Sequence, residues 1–247
     1  MIQDGFTAAI NYVRALGYIG RKGFKRYFFF SGLIGLGLLA IGILVISGFY
    51  DTLSTFIATL IPWDISWLGP LASIVSVAGM GVFFLVIFKH LMLILTAPLM
   101  SALSAKVEED LDPERYDHDS QGTLNFLKEM ARGIRIASRN IIRELFYTLV
   151  LFILGLIPGL AIVTSPAILA VQGYYAGFGN FDFWAERHFS FRSTVDFMKD
   201  HRAMTTVNGV VFLVILAVPV IGVFLAPPLA TIAATIQGMD KLDELDV

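Results

Sequence analysis

The chain has 247 residues, of which 56% are hydrophobic and only 15% charged, against roughly 25% charged in soluble domains. With a mean hydropathy of +0.74, an ordinary soluble enzyme and a disordered chain are both excluded. A net charge of −2 lacks the basic excess of a nucleic-acid binder, and the absence of cysteine excludes disulfides, thiolate metal sites and Cys nucleophiles.

Residues 5–19 place Phe6, Ile10, Val13 and Leu16 at helical spacing, with Asn11 and Arg14 off that stripe. This predicts an amphipathic helix lying on a membrane surface. Tyr27 to Tyr50 follows as 24 uncharged residues, and Trp67 to Phe88 as 22. A hydrocarbon core needs about 20 apolar helical residues, so these are two spanning helices. The first run starts too late, is too long and lacks the A-x-A pattern of a secretory signal, so no such signal is expected. The second run continues past Lys89 and His90 to Ala105. As one helix, 68–105 measures about 57 Å at ~1.5 Å per residue, so its excess must pack on protein or bend, with Pro98 as the bend point.

Residues 106–144 are polar. An acidic turn runs from Glu108 to Asp119, and a helix is predicted from Thr123. Lys128, Arg132, Arg135, Arg139 and Arg143 recur at spacings of 4, 3, 4 and 4, a basic stripe down one side. Two uncharged runs of 37 residues follow, Leu145 to Phe181 and Ala203 to Met239, each with a proline near its middle, Pro158 and Pro219. Two full spans with a turn need about 44 residues. Each run is therefore a hairpin of two short helices, or a re-entrant hairpin that only partly crosses.

Residues 1–26 hold five Lys/Arg, 89–144 hold eight, 182–202 hold four, and Lys241 is the last of 18. The connections 51–66, 157–165 and 217–222 hold none. All basic residues fall on one side if the chain goes out, back, and twice in and back. By the positive-inside rule that side is cytoplasmic, and so are both termini.

The segment Gly23-Phe24-Lys25-Arg26 opens the first long helix, with Gly20, Arg21 and Lys22 before it. Free amides, the positive helix end and two cations suit a phosphate- or sulfate-like anion, although basic residues also cluster at the cytoplasmic end of any span. The arginine stripe, Arg132, Arg135 and Arg139 above all, either lines an anion vestibule or contacts lipid headgroups. Lys89 and His90 lie about 22 positions past Trp67, which places them at the interface as anchors. The spans hold no acidic residue, so a relay of buried carboxylates is not expected. Gly155/Gly159 and Gly173/Gly177 have the G-x-x-x-G spacing of close helix contacts. Leu95-Thr96-Ala97-Pro98-Leu99 is weakly echoed by Leu225-Ala226-Pro227-Pro228-Leu229. Metalloprotease, hydrolase, Walker and dinucleotide motifs are absent, and no metal, cofactor or catalytic residue is assigned.

The stretch from Ala97 to Glu108, Ala-Pro-Leu-Met-Ser-Ala-Leu-Ser-Ala-Lys-Val-Glu, resembles the A-P-F-x-x-x-L-A-E-x-V-E signature of the CysZ-type sulfate permeases. That family is shared with the etoposide-induced membrane proteins. Ile142-Arg143-Glu144-Leu145, Ile157-Pro158-Gly159, Arg187-His188-Phe189-Ser190-Phe191-Arg192, His201-Arg202, Val218-Pro219 and Ala226-Pro227-Pro228-Leu229-Ala230 follow in family order, so the resemblance covers roughly residues 8–236. It implies an oligomeric inner-membrane protein that passes sulfate inward for cysteine synthesis, with two hemi-penetrating hairpins. Its sulfate-binding stretch G-L-R-R matches Gly23, Phe24, Lys25 and Arg26, with Phe and Lys as replacements, and Ala105 stands where the family has Glu.

The sequence thus predicts an all-α polytopic integral membrane protein. It has two long spanning helices and two Pro-containing helical hairpins, either two short helices each or re-entrant and hemi-penetrating as the resemblance implies, in one domain over 1–247. Residues 1–26 form the interfacial helix and anion segment, and 106–144 and 182–202 are cytoplasmic. The expected partners are sulfate or a similar oxyanion, the lipid bilayer and further copies of the chain, and no nucleic acid. The alternative is a membrane scaffold of the same family that docks partners through 106–144 and 182–202. A lipid-modifying enzyme using Asp117, His118 and Asp119 is the third reading.

Overall fold

The computed structural model describes residues 2–60, 68–113, 123–157, 159–218 and 220–245. Over these the chain is helical, with eight helices: α1 (Ile2–Leu16), α2 (Lys25–Leu60), α3 (Leu68–Leu111), α4 (Thr123–Gly155), α5 (Ala161–His188), α6 (Phe191–Asp200), α7 (Arg202–Leu216) and α8 (Ile221–Leu245). Pro158, Pro219, most of the acidic turn including Asp117, His118 and Asp119, and the side chains of Lys128 and Arg132 lie outside the described residues.

Among the described residues, three stretches are long and apolar enough to cross a membrane: Lys25–Leu44 in α2, Ile87–Leu111 in α3 and Ile221–Glu244 in α8. The expected excess length of α3 is real, since its 44 residues form one helix with Pro98 inside it. Its C-terminal part packs on protein, with Met92, Met100, Leu103 and Val107 fully buried.

The third stretch was not foreseen as a separate candidate, and composition explains its place. Along α8 the run Ala226-Pro227-Pro228-Leu229-Ala230-Thr231-Ile232-Ala233-Ala234-Thr235 is rich in small residues and buried throughout. Small side chains let backbones approach closely, so α8 lies at the centre and touches α1, α2, α3, α5 and α7. Its prolines leave carbonyls without an intrahelical donor. The Val223 carbonyl, four residues before Pro227, accepts instead from Ser31 Oγ of α2 at 3.4 Å. Glycines on α2 permit that approach, because a Cβ at Gly32 would strike the Phe224 ring.

Both long runs fold as helical hairpins, one between α4 and α5 and one between α7 and α8, the breaks falling beside the positions the sequence predicts. Gly159 takes φ +87° and Val220 takes φ +61°, a conformation that a β-branched residue adopts only under strain. The tips present apolar side chains outward, Ile157, Leu160 and Ile162 on one and Val218, Val220 and Ile221 on the other. The two G-x-x-x-G spacings serve different ends. Gly159 sits in a turn facing open space, whereas Gly173 and Gly177 of α5 meet Gly209 of α7 so closely that any Cβ would strike backbone. Next to this crossing, Asn180 Nδ2 donates to Asn208 Oδ1 at 2.9 Å, and Tyr12 Oη to the Asn208 carbonyl at 2.6 Å.

The first helix is amphipathic twice over. Ala8, Asn11, Tyr12 and Ala15 are buried as α1 packs on α7 and α8. The predicted stripe of Phe6, Ile10, Val13 and Leu16 faces outward, with Phe6 and Val13 each 69% exposed.

Candidate functional site

The chain leaves α1 through a tight turn, 17–24, and enters α2 at Lys25. Gly23 takes φ +83° in that turn, which glycine adopts without a steric penalty. Tyr18 and Phe24 are buried and packed edge to face, ring centroids 5.1 Å apart, and anchor the turn in the core. Of the four predicted anion-site residues, Phe24 therefore points inward as an anchor. Gly23 shapes the turn, and Lys25 and Arg26 are exposed at the start of the helix. Of the first amides of α2, that of Tyr27 donates to the Phe24 carbonyl at 3.0 Å, whereas those of Lys25 and Arg26 have no carbonyl one turn back within the helix.

Cations gather on this floor. Arg21 lies 4.1 Å over the Tyr18 ring and is paired with Asp110 of α3. Burial pushes the Tyr18 hydroxyl pKa up, the Asp110 carboxylate adds to the shift and Arg21 opposes it. Arg26 lies 4.8 Å over the Tyr27 ring and donates to its hydroxyl at 2.9 Å. Sequence reasoning missed Lys106. From α3 it brings its ammonium 5.0 Å from the Phe24 ring and against the space where a Cβ of Gly23 would sit. No spacing rule could pair residues 23 and 106, since only the packing of α2 on α3 brings them together. Among the described residues, no carboxylate pairs with Lys22, Lys25, Arg26 or Lys106. The result is a cluster of four uncompensated cations around a glycine turn and a helix N-terminus.

Two further polar centres lie inside the protein, with their charges matched. Lys89 and His90 are not interfacial anchors, as expected from their register, but buried to 0% and 2% exposure. Glu144 of α4, also 0% exposed, is paired with Lys89 and lies 2.9 Å from His90 Nε2. Lys89 also donates to the Gln172 carbonyl of α5 at 3.1 Å. The reason is that Glu144 faces away from the arginine stripe it adjoins in sequence, and it demands a cation. A pocket of about 30 Å³ adjoins His90, Asn140 and Asp182, with room for a water molecule.

In the second centre, Glu108 of α3 meets Arg187 and His188 at the end of α5. Arg187 Nε and Nη2 lie 2.9 Å from Glu108 Oε2, and His188 Nε2 lies 2.8 Å from Oε1. Arg187 Nη2 also donates to Ser104 Oγ at 2.7 Å, and Ser104 is 2.7 Å from Thr235 Oγ1 of α8. Two stretches that carry the family resemblance, 97–108 and 187–192, thus join in space.

On α4, Arg135 lies 4.8 Å over the Phe191 ring and Arg139 5.5 Å over Phe178. α4 packs on α3 and α5.

Among curated proteins nothing matches the chain. One family's sequence model, described as Sulfate transporter CysZ/Etoposide-induced protein 2.4, matches residues 11–227, from the middle of α1 into α8. The match covers most of the sequence, as the order of motifs from Ala97 to Ala230 leads one to expect, and the chain belongs to the Sulfate transporter CysZ/Etoposide-induced protein 2.4 family of membrane proteins.

Proposed function

We propose that this protein passes sulfate or a similar oxyanion across the bacterial inner membrane into the cytoplasm, in a channel-like manner, in support of sulfur assimilation. The observation that carries this reading is the α2 N-terminus. There Gly23 holds a turn open, and Lys25, Arg26 and Lys106 stand without carboxylate partners among the described residues. Amide dipoles and ammonium groups converging on one spot favour a compact anion, and the neighbouring positive charge raises its local concentration.

The proposed topology supports entry from the basic side. The protein is one membrane domain over 1–247 with both termini cytoplasmic, and α2 and α3 cross. Segments 106–144 and 182–202 are cytoplasmic. α1 lies in the interface, its outward Phe6–Leu16 stripe in the acyl boundary. The hairpins turn back within the membrane. The uncharged arm of α4 is 145–155, and α7 has 15 residues; at ~1.5 Å per residue, about 17 Å and 23 Å fall short of a hydrocarbon core of roughly 30 Å. Irregular tips such as Val220 survive there because other copies of the chain cover them or water reaches them, which makes a homo-oligomer part of the proposal.

The test is uptake of radiolabelled sulfate into proteoliposomes. The intact protein should exceed empty vesicles, and Lys25→Ala combined with Arg26→Ala should reduce the initial rate at low sulfate by about tenfold or more. Flux equal to empty vesicles favours the scaffold reading. Flux untouched by both substitutions removes the site but keeps the transport.

A further inference from the structure

The arginines of α4 have no part in the proposed sulfate site, yet their setting is specific. Arg135, Arg139 and Arg143 repeat every four residues and so share one side of the helix. Arg135 and Arg139 are steered by aromatic rings, Phe191 and Phe178, and Arg139 Nη1 donates to Asn140 Oδ1 at 3.2 Å. Arg139 and Arg143 lie one turn apart on the same helix face, Arg139 half-buried and Arg143 exposed, so one helix supplies two adjacent guanidinium groups. Among the described residues no carboxylate pairs with any of these arginines. This contrasts with Arg14, Arg21, Lys89, Arg187, Lys199 and Lys241, each of which has an acidic partner.

Immediately after the last arginine, α4 changes character on its outer surface. Ile142, Phe146, Leu149 and Ile153 are 69%, 62%, 58% and 55% exposed. Tyr147, half exposed, stands between the two zones, as aromatic residues do at a membrane interface. A guanidinium patch within one helical turn of an exposed apolar strip matches an amphiphile that carries a phosphate at its head. Guanidinium forks suit phosphate oxygens. A free inorganic anion would use the arginines and leave the apolar strip without an occupant, whereas a zwitterionic lipid would cover the strip but bring its own ammonium beside the phosphate, which offsets the attraction of the arginines.

We infer that the outer face of α4 is a binding site for an anionic glycerophospholipid, with the headgroup phosphate held by Arg139 and Arg143 and the acyl chains along Ile142 to Ile153. This rests on the membrane placement of α4 and not on sulfate transport, and it is read in a separate assay. Delipidated full-length protein in detergent is titrated with phosphatidylglycerol, with phosphatidylcholine of the same acyl chains, and with inorganic sulfate or phosphate. Bound lipid is counted by native mass spectrometry and stability followed by thermal unfolding. Phosphatidylglycerol should bind and raise the melting temperature, phosphatidylcholine should do so far less, and inorganic anions should neither stabilise the protein nor displace the lipid. Arg143→Gln, at an exposed position, should weaken phosphatidylglycerol binding roughly fivefold, and Arg139→Gln with Arg143→Gln roughly 30-fold. Lys25→Ala with Arg26→Ala should leave it unchanged. Equal binding of both lipids, binding indifferent to Arg143→Gln, or displacement by inorganic sulfate would each overturn the inference, the last by making the patch an anion vestibule.

Discussion

The turn before α2 and the interior between α3, α4 and α5 use the same kinds of charged residue in opposite ways. At the turn, Lys25, Arg26 and Lys106 face outward or lean on aromatic rings without carboxylates among the described residues. In the interior, Lys89 shares Glu144 with His90, fully buried, and Arg187 shares Glu108 with His188, partly buried. A buried charge must be matched on the spot, because desolvating an unpaired ion costs several kcal/mol, on the order of what stabilises a whole domain. An exposed cation needs no such partner and remains available to a ligand. In this molecule, paired charges hold helices together and unpaired ones are the candidates for binding. Substitutions in the two regions should therefore move different observables.

The largest stability effect is expected at Glu144. Replacing it by Ala leaves Lys89 buried without its carboxylate, and losing one partner of a buried pair costs about 3–5 kcal/mol. Thermal unfolding in detergent should show a loss of several degrees or failure to fold. The double variant Lys89→Met, Glu144→Leu should recover most of it, because an apolar pair carries no uncompensated charge. If Glu144→Ala melted like the unaltered protein, the interior would not depend on charge matching.

Arg187→Ala comes next. It removes hydrogen bonds to Glu108, to Ser104 and to the Phe183 carbonyl at 2.8 Å, but the site is partly open and water can replace some of them. A cost of about 1.5–3 kcal/mol is expected, visible as a lower melting temperature. Arg187→Lys should restore less than its charge suggests, since an ammonium cannot make the fork that reaches both Glu108 and Ser104.

Gly23→Ala probes the border between the two regimes. A Cβ at φ +83° is strained and also meets the Lys106 ammonium. About 1 kcal/mol of stability should be lost, with a weaker sulfate response as Lys106 is pushed aside. A melting shift with unchanged uptake would separate the turn from the site.

The sequence carried the large features because they depend on one-dimensional patterns. Run lengths gave the long helices, the prolines gave the two hairpin turns, and the 4-3-3 spacing from Phe6 gave the outward stripe of α1. The spacing of Gly173 and Gly177 foretold a close crossing, but its partner, Gly209, had no sequence signal. What stayed hidden is pairing across long separations. Lys89 and Glu144 are 55 positions apart, and Lys106 reaches Gly23 only through helix packing. Lys89 looked like an interfacial anchor because register along a helix gives its depth and not which side faces a neighbour. The central place of α8 was written in its small residues, yet hydropathy treats a buried alanine-rich helix and a lipid-facing one alike.

The smallest expected change in stability belongs to the residues expected to matter most for flux. Lys25 and Arg26 are exposed and hold no carboxylate, so replacing both by Ala should leave the melting temperature within the error of measurement while uptake at low sulfate falls. Lys25→Arg sharpens the point. It keeps the charge and exposure and adds a planar fork of donors that engages two oxygens of a tetrahedral anion at once. Stability should again stay put, and half-saturation of uptake should move to lower sulfate by a few-fold, roughly the gain of one charge-assisted hydrogen bond less the water it displaces. Such a shift with no melting change requires that the anion touch residue 25 directly. A melting change without the shift would make residue 25 part of the scaffold, and the division between unpaired cations that bind and paired ones that hold would fail where it is most exposed to test.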